Sequence, residues 1–307
     1  MLLIPGLTLH GFYTLGMAAL VTIQGTTEPA ETAGLEQKQE RLFAHLRRLG
    51  RVIIAYSGGT DSAYLAWAAH SVLGQNALAV TADSASIPAS HKRAAEEFAA
   101  ESGFRHEYIS TYEFENPDYV KNDKDRCFYC KDELFTRLDA YAAQAGYSHV
   151  VYGVNADDLG DYRPGQHAAK LHNVEAPLVD AGLTKAEIRE LSRLSGLSVW
   201  DRPASACLSS RVPYGTPVTV ETIRTIEDGE EAVRALGFKQ FRVRFHGDLA
   251  RVEIAKDELP RALNIEMAGA LTRIFKQLGF LYVTLDLEGY RQGSLNAALP
   301  ASASPTR

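Results

Sequence analysis

The sequence predicts an α/β protein with a parallel sheet flanked by helices and a smaller α+β domain at the carboxyl-terminal end. Three observations favour this fold class. Short apolar runs alternate with helical patterns through the first two-thirds of the chain, as in βαβ units. One of these runs, residues 52–55, leads directly into a glycine-rich turn and a helical pattern. After residues 213–217, which hold two prolines and a glycine, the pattern changes to helix, two strands, helix and strand.

The elements follow in order along the chain. Apolar runs predict parallel strands over residues 52–55, 77–82, 106–110 and 149–153. Helical periodicity and terminal prolines, threonines and glycines predict helices after the glycine-rich turn and over residues 89–102, 131–145 and 185–195. The smaller domain is predicted to contain a helix over 220–236, strands over 240–246 and 250–255, a helix over 259–278 and a strand over 282–286.

Composition indicates a cytoplasmic enzyme. The chain has 307 residues and a net charge of −6 without a polybasic run, which argues against nucleic acid as a partner. Residues 1–24 contain no Lys or Arg and are interrupted by glycines, so they resemble neither a signal peptide nor a membrane span. The predicted organisation is a poorly ordered extension at 1–34, a nucleotide domain at 35–212, an α+β substrate-binding and oligomerisation domain at 213–296, and a disordered tail at 297–307.

The glycine-rich turn is the first candidate site. A strand, a turn with two glycines and a helix start direct free backbone N–H groups and the positive end of a helix dipole at an anion. Hydroxyls can add donors, and an aspartate beside phosphate suggests a bridging Mg²⁺. The turn lacks the Gly-Lys-Ser/Thr ending of a Walker A loop, and an ordinary strand-to-helix turn is the alternative. The residues concerned are Ser57, Gly58, Gly59, Thr60, Asp61 and Ser62.

This turn resembles the pyrophosphate loop of the PP-loop ATP-pyrophosphatase superfamily, whose fold is adenine nucleotide alpha hydrolase-like. Members of that superfamily split ATP into AMP and pyrophosphate to adenylate a substrate. The predicted strand ends at residues 82–84 and 153–155 would meet the loop at the same edge of the sheet, where ligands of parallel α/β sheets bind.

A strand of the smaller domain carries a second candidate site. Alternation places Arg242, Arg244 and His246 on one face, with Arg251 and Glu253 expected opposite them on the next strand. Two arginines side by side can clamp an anion. The alternative is a solvated sheet face with surface ion pairs.

The three cysteines form a third candidate site. Cys127 and Cys130 make a C-x-x-C at a predicted helix start, and Cys207 lies far along the chain. An odd number does not make a disulfide framework. Such thiols suit zinc with a further ligand, a redox disulfide, or three irons of a [4Fe–4S] cluster whose fourth iron is open, and inert thiols are the alternative.

Taken together, the motifs resemble the LarE family of ATP-dependent sulfur transferases, which act in nickel-pincer nucleotide biosynthesis. The resemblance runs from about residue 35 to 296. It rests on the pyrophosphate loop, on 127–131, on 155–165, on 207–215 and on two strands of the smaller domain, 238–246 and 282–289.

The resemblance implies that ATP adenylates the carboxylates of pyridinium-3,5-biscarboxylic acid mononucleotide, and that sulfur then displaces AMP to leave thiocarboxylates. Asp61 is expected to act through Mg²⁺, and Lys131 to neutralise charge on the adenylate. Asp158, Asp161 and Arg163 are expected near substrate or metal, without an assigned mechanism. The expected catalytic residues are Asp61, Lys131, Cys127, Cys130 and Cys207. The expected ATP-binding residues are Ser57, Gly58, Gly59, Asp61, Ser62, Ala82, Asp83 and Gly153. The expected contacts to the substrate's phosphate are Ser210, Arg211, Arg242 and Arg244.

The source of the sulfur divides the family that this chain resembles. Some members sacrifice one cysteine, which becomes dehydroalanine, and others hold a [4Fe–4S] cluster on three cysteines. The C-x-x-C favours the cluster type here, with sulfide or another sulfur donor as a partner, and sacrifice of Cys207 is the alternative. The other rivals are a tRNA thiolation enzyme and a sensor without turnover. The resemblance also implies a homo-oligomer, for which a hexamer is one candidate.

Overall fold

A computed structural model of the protein describes residues 29–160, 164–203 and 206–291. Most of the predicted extension and the whole predicted tail at 297–307 lie outside these residues. The first helix, α1, spans Pro29–Leu49, so it begins six residues before the predicted start of the nucleotide domain. Its apolar residues Leu42, Phe43 and Leu46 recur at helical spacing and are buried, which explains why this segment packs on the domain core.

The predicted parallel sheet is confirmed. It has four strands, in the spatial order β3-β2-β1-β4, and every neighbouring pair is parallel. The strands are β1 Val52–Ala55, β2 Ala77–Asp83, β3 Arg105–Ser110 and β4 His149–Tyr152. The carboxyl ends of β1, β2 and β4 therefore meet at one edge, where the glycine-rich turn lies.

Helices cover both faces of this sheet. One core joins α1, α2, α3 and α8 to one face, and a second core joins α5 and α6 to the other. Helix α8 is fixed at its start by a capping box between Thr184 and Glu187. The helices of this part are α2 Thr60–Leu73, α3 Ala89–Ser102, α4 Pro117–Val120, α5 Arg126–Ala145, α6 Pro164–Leu171, α7 Pro177–Asp180 and α8 Lys185–Leu194.

The smaller part contains a three-stranded mixed sheet in the order β5-β6-β7. Strands β5 and β6 are antiparallel and β7 is parallel to β6. The register places Arg242 opposite Glu253 and Arg244 opposite Arg251, which confirms the predicted facing of the two strands. Its elements are α9 Val220–Ala235, β5 Phe241–His246, β6 Leu249–Ile254, α10 Leu259–Ala262, α11 Ile265–Gln277 and β7 Tyr282–Leu285.

The prediction of a single helix over 259–278 is wrong, because the chain forms two helices there. Asn264 between them has extended backbone angles, and its side chain accepts a hydrogen bond from the Met267 N–H. An N-capping side chain of this kind begins a new helix and interrupts the previous one. The helical periodicity on both sides concealed this break.

A separate apolar cluster joins the two parts of the molecule. It packs Tyr119 of α4 against apolar residues between 208 and 226, and Phe245 of β5 contacts it. A short 3₁₀ helix, Leu208–Arg211, lies at this junction directly after Cys207. Among the described residues, no helix is both long enough and apolar enough to cross a bilayer.

Candidate active site

The glycine-rich turn between β1 and α2 has the geometry of an anion site. Gly58 has φ +73°, a value that favours glycine, and a Cβ there would lie 3.1 Å from the Ala95 Cβ. Gly59 is the N-cap of α2, so the amides of the first helical turn have no helical acceptor. The hydroxyls of Ser57 and Ser62 hydrogen-bond to each other at 3.0 Å. Free amides, two hydroxyls and a helix N-terminus together suit phosphate.

Two nearby residues serve the packing of the turn. The Thr60 hydroxyl donates to the carbonyl of Val199 at 3.0 Å, so this hydroxyl is engaged inside the protein. Gly153 follows β4, and a Cβ on it would lie 2.6 Å from the backbone nitrogen of Ser62. Only glycine lets the end of β4 approach the start of α2 this closely. The expected role of Gly153 in adenosine docking stays a prediction.

Asp61 lies at the centre of a polar group beside the turn. Its Oδ1 accepts a hydrogen bond from Lys185 Nζ at 2.8 Å, and its Oδ2 accepts one from Asn155 Nδ2 at 3.2 Å. Lys185 is the first residue of α8, and its backbone N–H donates to Asp157 at 2.8 Å. The carboxylate expected to hold Mg²⁺ therefore already has a cation and an amide as partners.

A second cation also contacts the turn. Arg202 Nη1 donates to the Gly58 carbonyl at 2.7 Å, and the Arg202 carbonyl in turn accepts from Arg189 Nη2 at 2.7 Å. Sequence reasoning missed Lys185 and Arg202, because both are more than 100 positions from the loop. The helix start after Thr184 was the one local signal, and it gave no indication that the Lys185 side chain reaches Asp61.

The other residues expected around the nucleotide lie at strand ends. Ala82 and Asp83 end β2, and the exposed Asp83 side chain pairs with Lys92 Nζ at 2.5 Å. Asp158 accepts the Asn155 backbone N–H at 3.1 Å, so it shapes the turn after β4. The expected positions Asp161 and Arg163 lie outside the described residues.

The structure brings the three cysteines together. Cys127 and Cys130 lie on the first turn of α5, Cys207 precedes the 3₁₀ helix Leu208–Arg211, and none is in a disulfide. Burial raises the pKa of the Cys130 thiol, and the Glu113 carboxylate and Cys207 raise it further. Cys127 is solvent-exposed as a residue, but desolvation by the surrounding protein raises the pKa of its thiol. Cys207 raises that pKa further. Negative charge on one of these thiols therefore disfavours ionisation of the others.

Three thiols from two segments are candidate ligands for a metal centre. Among the described residues, no three His, Cys, Asp or Glu side chains are already placed to hold one metal ion. A [4Fe–4S] cluster differs from a single ion, because each thiolate binds a different iron. Three thiols match the number of ligands that a cluster with one open iron needs. Lys131 directly follows Cys130 on α5, and its ammonium opposes the rise in the pKa of Cys127 and Cys130 that burial causes.

The arginines of the second candidate site have different environments. Arg211 is 1% exposed and forms two hydrogen bonds with Glu230, at 2.9 and 3.0 Å, while its Nη1 donates to the Cys207 carbonyl at 2.8 Å. Arg244 is buried, pairs with Glu253 at 2.8 Å and donates to the Ser210 carbonyl at 2.8 Å. Both guanidinium groups therefore hold the segment after Cys207 in place.

Arg242 is the arginine best placed to meet a ligand. It is half-buried, stacks on Tyr290 with 5.0 Å between its guanidinium carbon and the ring centre, and donates to the Phe241 carbonyl. Among the described acidic side chains, none lies within ion-pair distance of it. Burial, then Arg211, lowers the pKa of Arg242. Burial, then Arg211, also lowers the pKa of the nearby His91 to about 4, so this corner of the molecule favours an anion.

The fold and this edge of the sheet define the class of the protein. It is an α/β protein of the PP-loop fold, with a parallel sheet flanked by helices and a smaller mixed-sheet part. The glycine-rich loop, two cations and three thiols of the described residues gather around the strand ends and the junction between the two parts.

Comparison with known proteins identifies the family. No protein-family model matches the chain. The chain is 45% identical over 265 residues to an uncharacterized protein of Synechocystis sp., covering 86% of this chain and 99% of the relative. It is 36% identical over 269 residues to the pyridinium-3,5-bisthiocarboxylic acid mononucleotide synthase of Lactiplantibacillus plantarum, covering 87% of this chain and 96% of that enzyme. The chain belongs to the LarE family, and it is an enzyme.

Proposed function

We propose that this protein is an ATP-dependent sulfurtransferase that converts the carboxylates of pyridinium-3,5-biscarboxylic acid mononucleotide to thiocarboxylates. The observation that carries the proposal is the similarity, over 87% of the chain, to an enzyme named for the bisthiocarboxylic product. The glycine-rich loop with its cations and the group of three thiols supply the two kinds of chemistry that this conversion needs.

The first half-reaction activates the carboxylate. A ring carboxylate oxygen attacks the α-phosphorus of ATP, the bond from that phosphorus to the bridging oxygen breaks, and pyrophosphate leaves. The products are the acyl adenylate and pyrophosphate. The loop amides, the Ser57 and Ser62 hydroxyls, Lys185 and Arg202 are placed to offset the charge of the departing pyrophosphate. Asp61 would hold Mg²⁺ there, with Lys185 exchanging from the carboxylate to phosphate oxygen.

The second half-reaction introduces sulfur. A sulfur nucleophile attacks the acyl carbon, AMP departs with the electron pair of the broken carbon–oxygen bond, and a thiocarboxylate remains. With hydrosulfide as the donor, one proton is released. When bound to Cys127, Cys130 and Cys207, a [4Fe–4S] cluster would supply a transferable sulfide. Lys131, beside Cys127 and Cys130, would offset negative charge near the adenylate.

The substrate's phosphate is assigned to the corner around Arg242. The Arg242 guanidinium is half-buried, and no carboxylate contacts it among the described residues. A bound phosphate would therefore supply hydrogen bonds in place of those to water that burial removes. Arg211, Arg244 and Ser210 would act behind it, by holding the segment that follows Cys207.

Pyrophosphate release tests the first half-reaction. Purified protein with Mg²⁺-ATP should release pyrophosphate when pyridinium-3,5-biscarboxylic acid mononucleotide is added, and tRNA should not replace this substrate. Stimulation by tRNA alone would instead identify a tRNA thiolation enzyme. A wild-type protein that releases no pyrophosphate with either substrate would refute the proposal.

A sulfur balance tests the second half-reaction. Anaerobically reconstituted protein with added sulfide should form several thiocarboxylates per chain, and intact-protein mass should show Cys207 unchanged. A single transfer accompanied by dehydroalanine at Cys207 would establish the sacrificial route instead.

A further inference from the structure

Arg126 is a buried cation directly next to the three-cysteine site. It is the first residue of α5, immediately before Cys127, and it is 3% exposed. Its Nη1 donates to the carbonyl of Ser209 at 2.8 Å. Ser209 lies two residues after Cys207, so one guanidinium joins the two segments that carry the cysteines.

A second contact fixes the orientation of this guanidinium. Arg126 Nη1 also donates to Asn122 Oδ1. Asn122 has a left-handed φ of +59°, and its Nδ2 donates to the carbonyls of Pro213 and Thr216, both at 2.8 Å. Because the amide of Asn122 is held from the other side, its oxygen is kept facing Arg126. The guanidinium carbon also lies 5.8 Å from the centre of the Tyr214 ring.

The charge of Arg126 has no carboxylate partner among the described residues, where no acidic group lies within ion-pair distance of it. A buried guanidinium without an anion costs several kcal/mol, so such groups are normally paired. Arg126 directly precedes Cys127, and its Nη1 contacts a carbonyl two residues after Cys207. The sulfurs of these two cysteines are therefore the anions that its position fits.

Other charges near the thiols make this cation important. Glu113 is 2% exposed, its Oε1 accepts from Ser84 and Ser86, and its Oε2 has no hydrogen-bond partner. This carboxylate acts on Cys130 and adds negative charge to a site of three thiols. Lys131, which follows Cys130, is another cation near the thiols, and Arg211 contacts the Cys207 carbonyl but is paired with Glu230. Without Arg126, the three cysteine sulfurs and this carboxylate would lose one of the cations that offset their charge.

We propose that Arg126 is a positioning residue of the sulfur site, which holds Cys127 in register with the Cys207 segment and offsets the negative charge of a bound cluster. The inference rests on the proposed function, since it takes Cys127, Cys130 and Cys207 as the cluster ligands. A positive charge beside a cluster stabilises its reduced form more than its oxidised form, because the reduced form carries one more electron.

The test compares Arg126→Met with Arg126→Lys. Methionine removes the charge, whereas lysine keeps the charge but lacks the planar guanidinium that hydrogen-bonds to both Asn122 and Ser209. Arg137→Met is the matched control, because Arg137 lies on the same helix, has a side chain that is 42% exposed and pairs with Glu133 at 2.8 Å. All four proteins are reconstituted anaerobically with iron and sulfide. Iron and acid-labile sulfide per chain and the reduction midpoint potential are then measured.

We expect R126M to retain several-fold less iron than the wild type, with a more negative midpoint potential for the cluster that remains. R126K should lose iron but keep a potential near that of the wild type, and R137M should match the wild type in both. Wild-type iron content and potential in R126M would overturn the proposal. If R126M is insoluble, R126K decides, and wild-type iron content in R126K would overturn the bridging role.

The outcome is separable from a failure of the proposed function. Iron content and potential do not depend on ATP, so a wild-type protein that takes up the cluster but releases no pyrophosphate would refute the adenylation chemistry and leave the Arg126 result intact. A wild-type protein that takes up no iron would overturn the Arg126 inference together with the cluster assignment.

Discussion

Replacing Lys185 by methionine tests whether its ammonium is needed beside Asp61 in the glycine-rich turn. The change removes an ammonium that lies 2.8 Å from Asp61 Oδ1 while keeping an unbranched side chain of similar length. The Asp61 side chain is 18% exposed and would retain Asn155 Nδ2, at 3.2 Å, as its remaining hydrogen-bond donor among the described contacts. Asp61 would therefore present an uncompensated charge to the incoming phosphates.

The size of the effect follows from this geometry. A hydrogen bond to a charged group contributes about 1.5–3 kcal/mol. The Lys185 side chain is 34% exposed, so solvent screening places the contribution at the lower end, about 1.5 kcal/mol. At about 1.4 kcal/mol per factor of ten, kcat/KM for Mg²⁺-ATP should fall roughly tenfold. In the proposed reaction Lys185 also contacts phosphate oxygen, and loss of this contact adds to the fall.

The assay is substrate-stimulated pyrophosphate release as a function of Mg²⁺-ATP concentration, with Lys38→Met as the control. Lys38 Nζ pairs at 2.6 Å with Glu187, which lies on helix α8 together with Lys185. The Lys38 side chain is 26% exposed and does not contact the glycine-rich turn. Lys38→Met should leave kcat/KM near the wild-type value. Equal losses in both variants, or an unchanged kcat/KM in Lys185→Met, would refute the reasoning.

Three further predictions concern other parts of the site. Burial and Arg211 lower the pKa of His91 from 6.5 to about 4. Between these pH values the unfolded chain takes up a proton that the folded chain does not. The free energy of unfolding should therefore fall by up to about 3 kcal/mol as pH drops from about 6.5 towards 4. Denaturant melts across that range should show the dependence flattened in His91→Gln, and an equal slope would contradict it. Arg242→Ala should raise the KM for the mononucleotide with an unchanged melting temperature, whereas Arg244→Ala should lower the free energy of unfolding by about 2 kcal/mol, because Glu253 stays buried with one arginine fewer. Equal changes in KM and in the free energy of unfolding for the two variants would contradict the assignment of Arg242 to the ligand and Arg244 to stability. Gly153→Ala should cost about 2 kcal/mol and abolish pyrophosphate release, since its Cβ would lie 2.6 Å from a backbone nitrogen of the loop, and wild-type stability and turnover would disprove that close contact.

Much of the fold was readable from local patterns. The apolar run at 52–55 and the helix at 89–102 have the predicted bounds, and the strand alternation at 241–246 predicted which arginines share a face. These features depend on periods of two or of 3.6 residues, which are visible in a short window. The break at Asn264 was missed because apolar periodicity continues through it, and α1 was missed because it begins inside a segment that lacks a clear terminal signal.

The sequence by itself determined the α/β class, the glycine-rich turn with Asp61, and three cysteines in a spacing that resembles one family. These depend on residues that are adjacent in the chain. Only the tertiary structure decided what each charge contacts. Lys185 reaches Asp61 across 124 positions, Arg211 and Arg244 are bound to Glu230 and Glu253, and the Arg126 beside Cys127 meets the segment that follows Cys207. Such pairings arise because a buried charge without hydrogen-bond partners is costly. Packing, and not distance along the chain, sets which partner lies within reach.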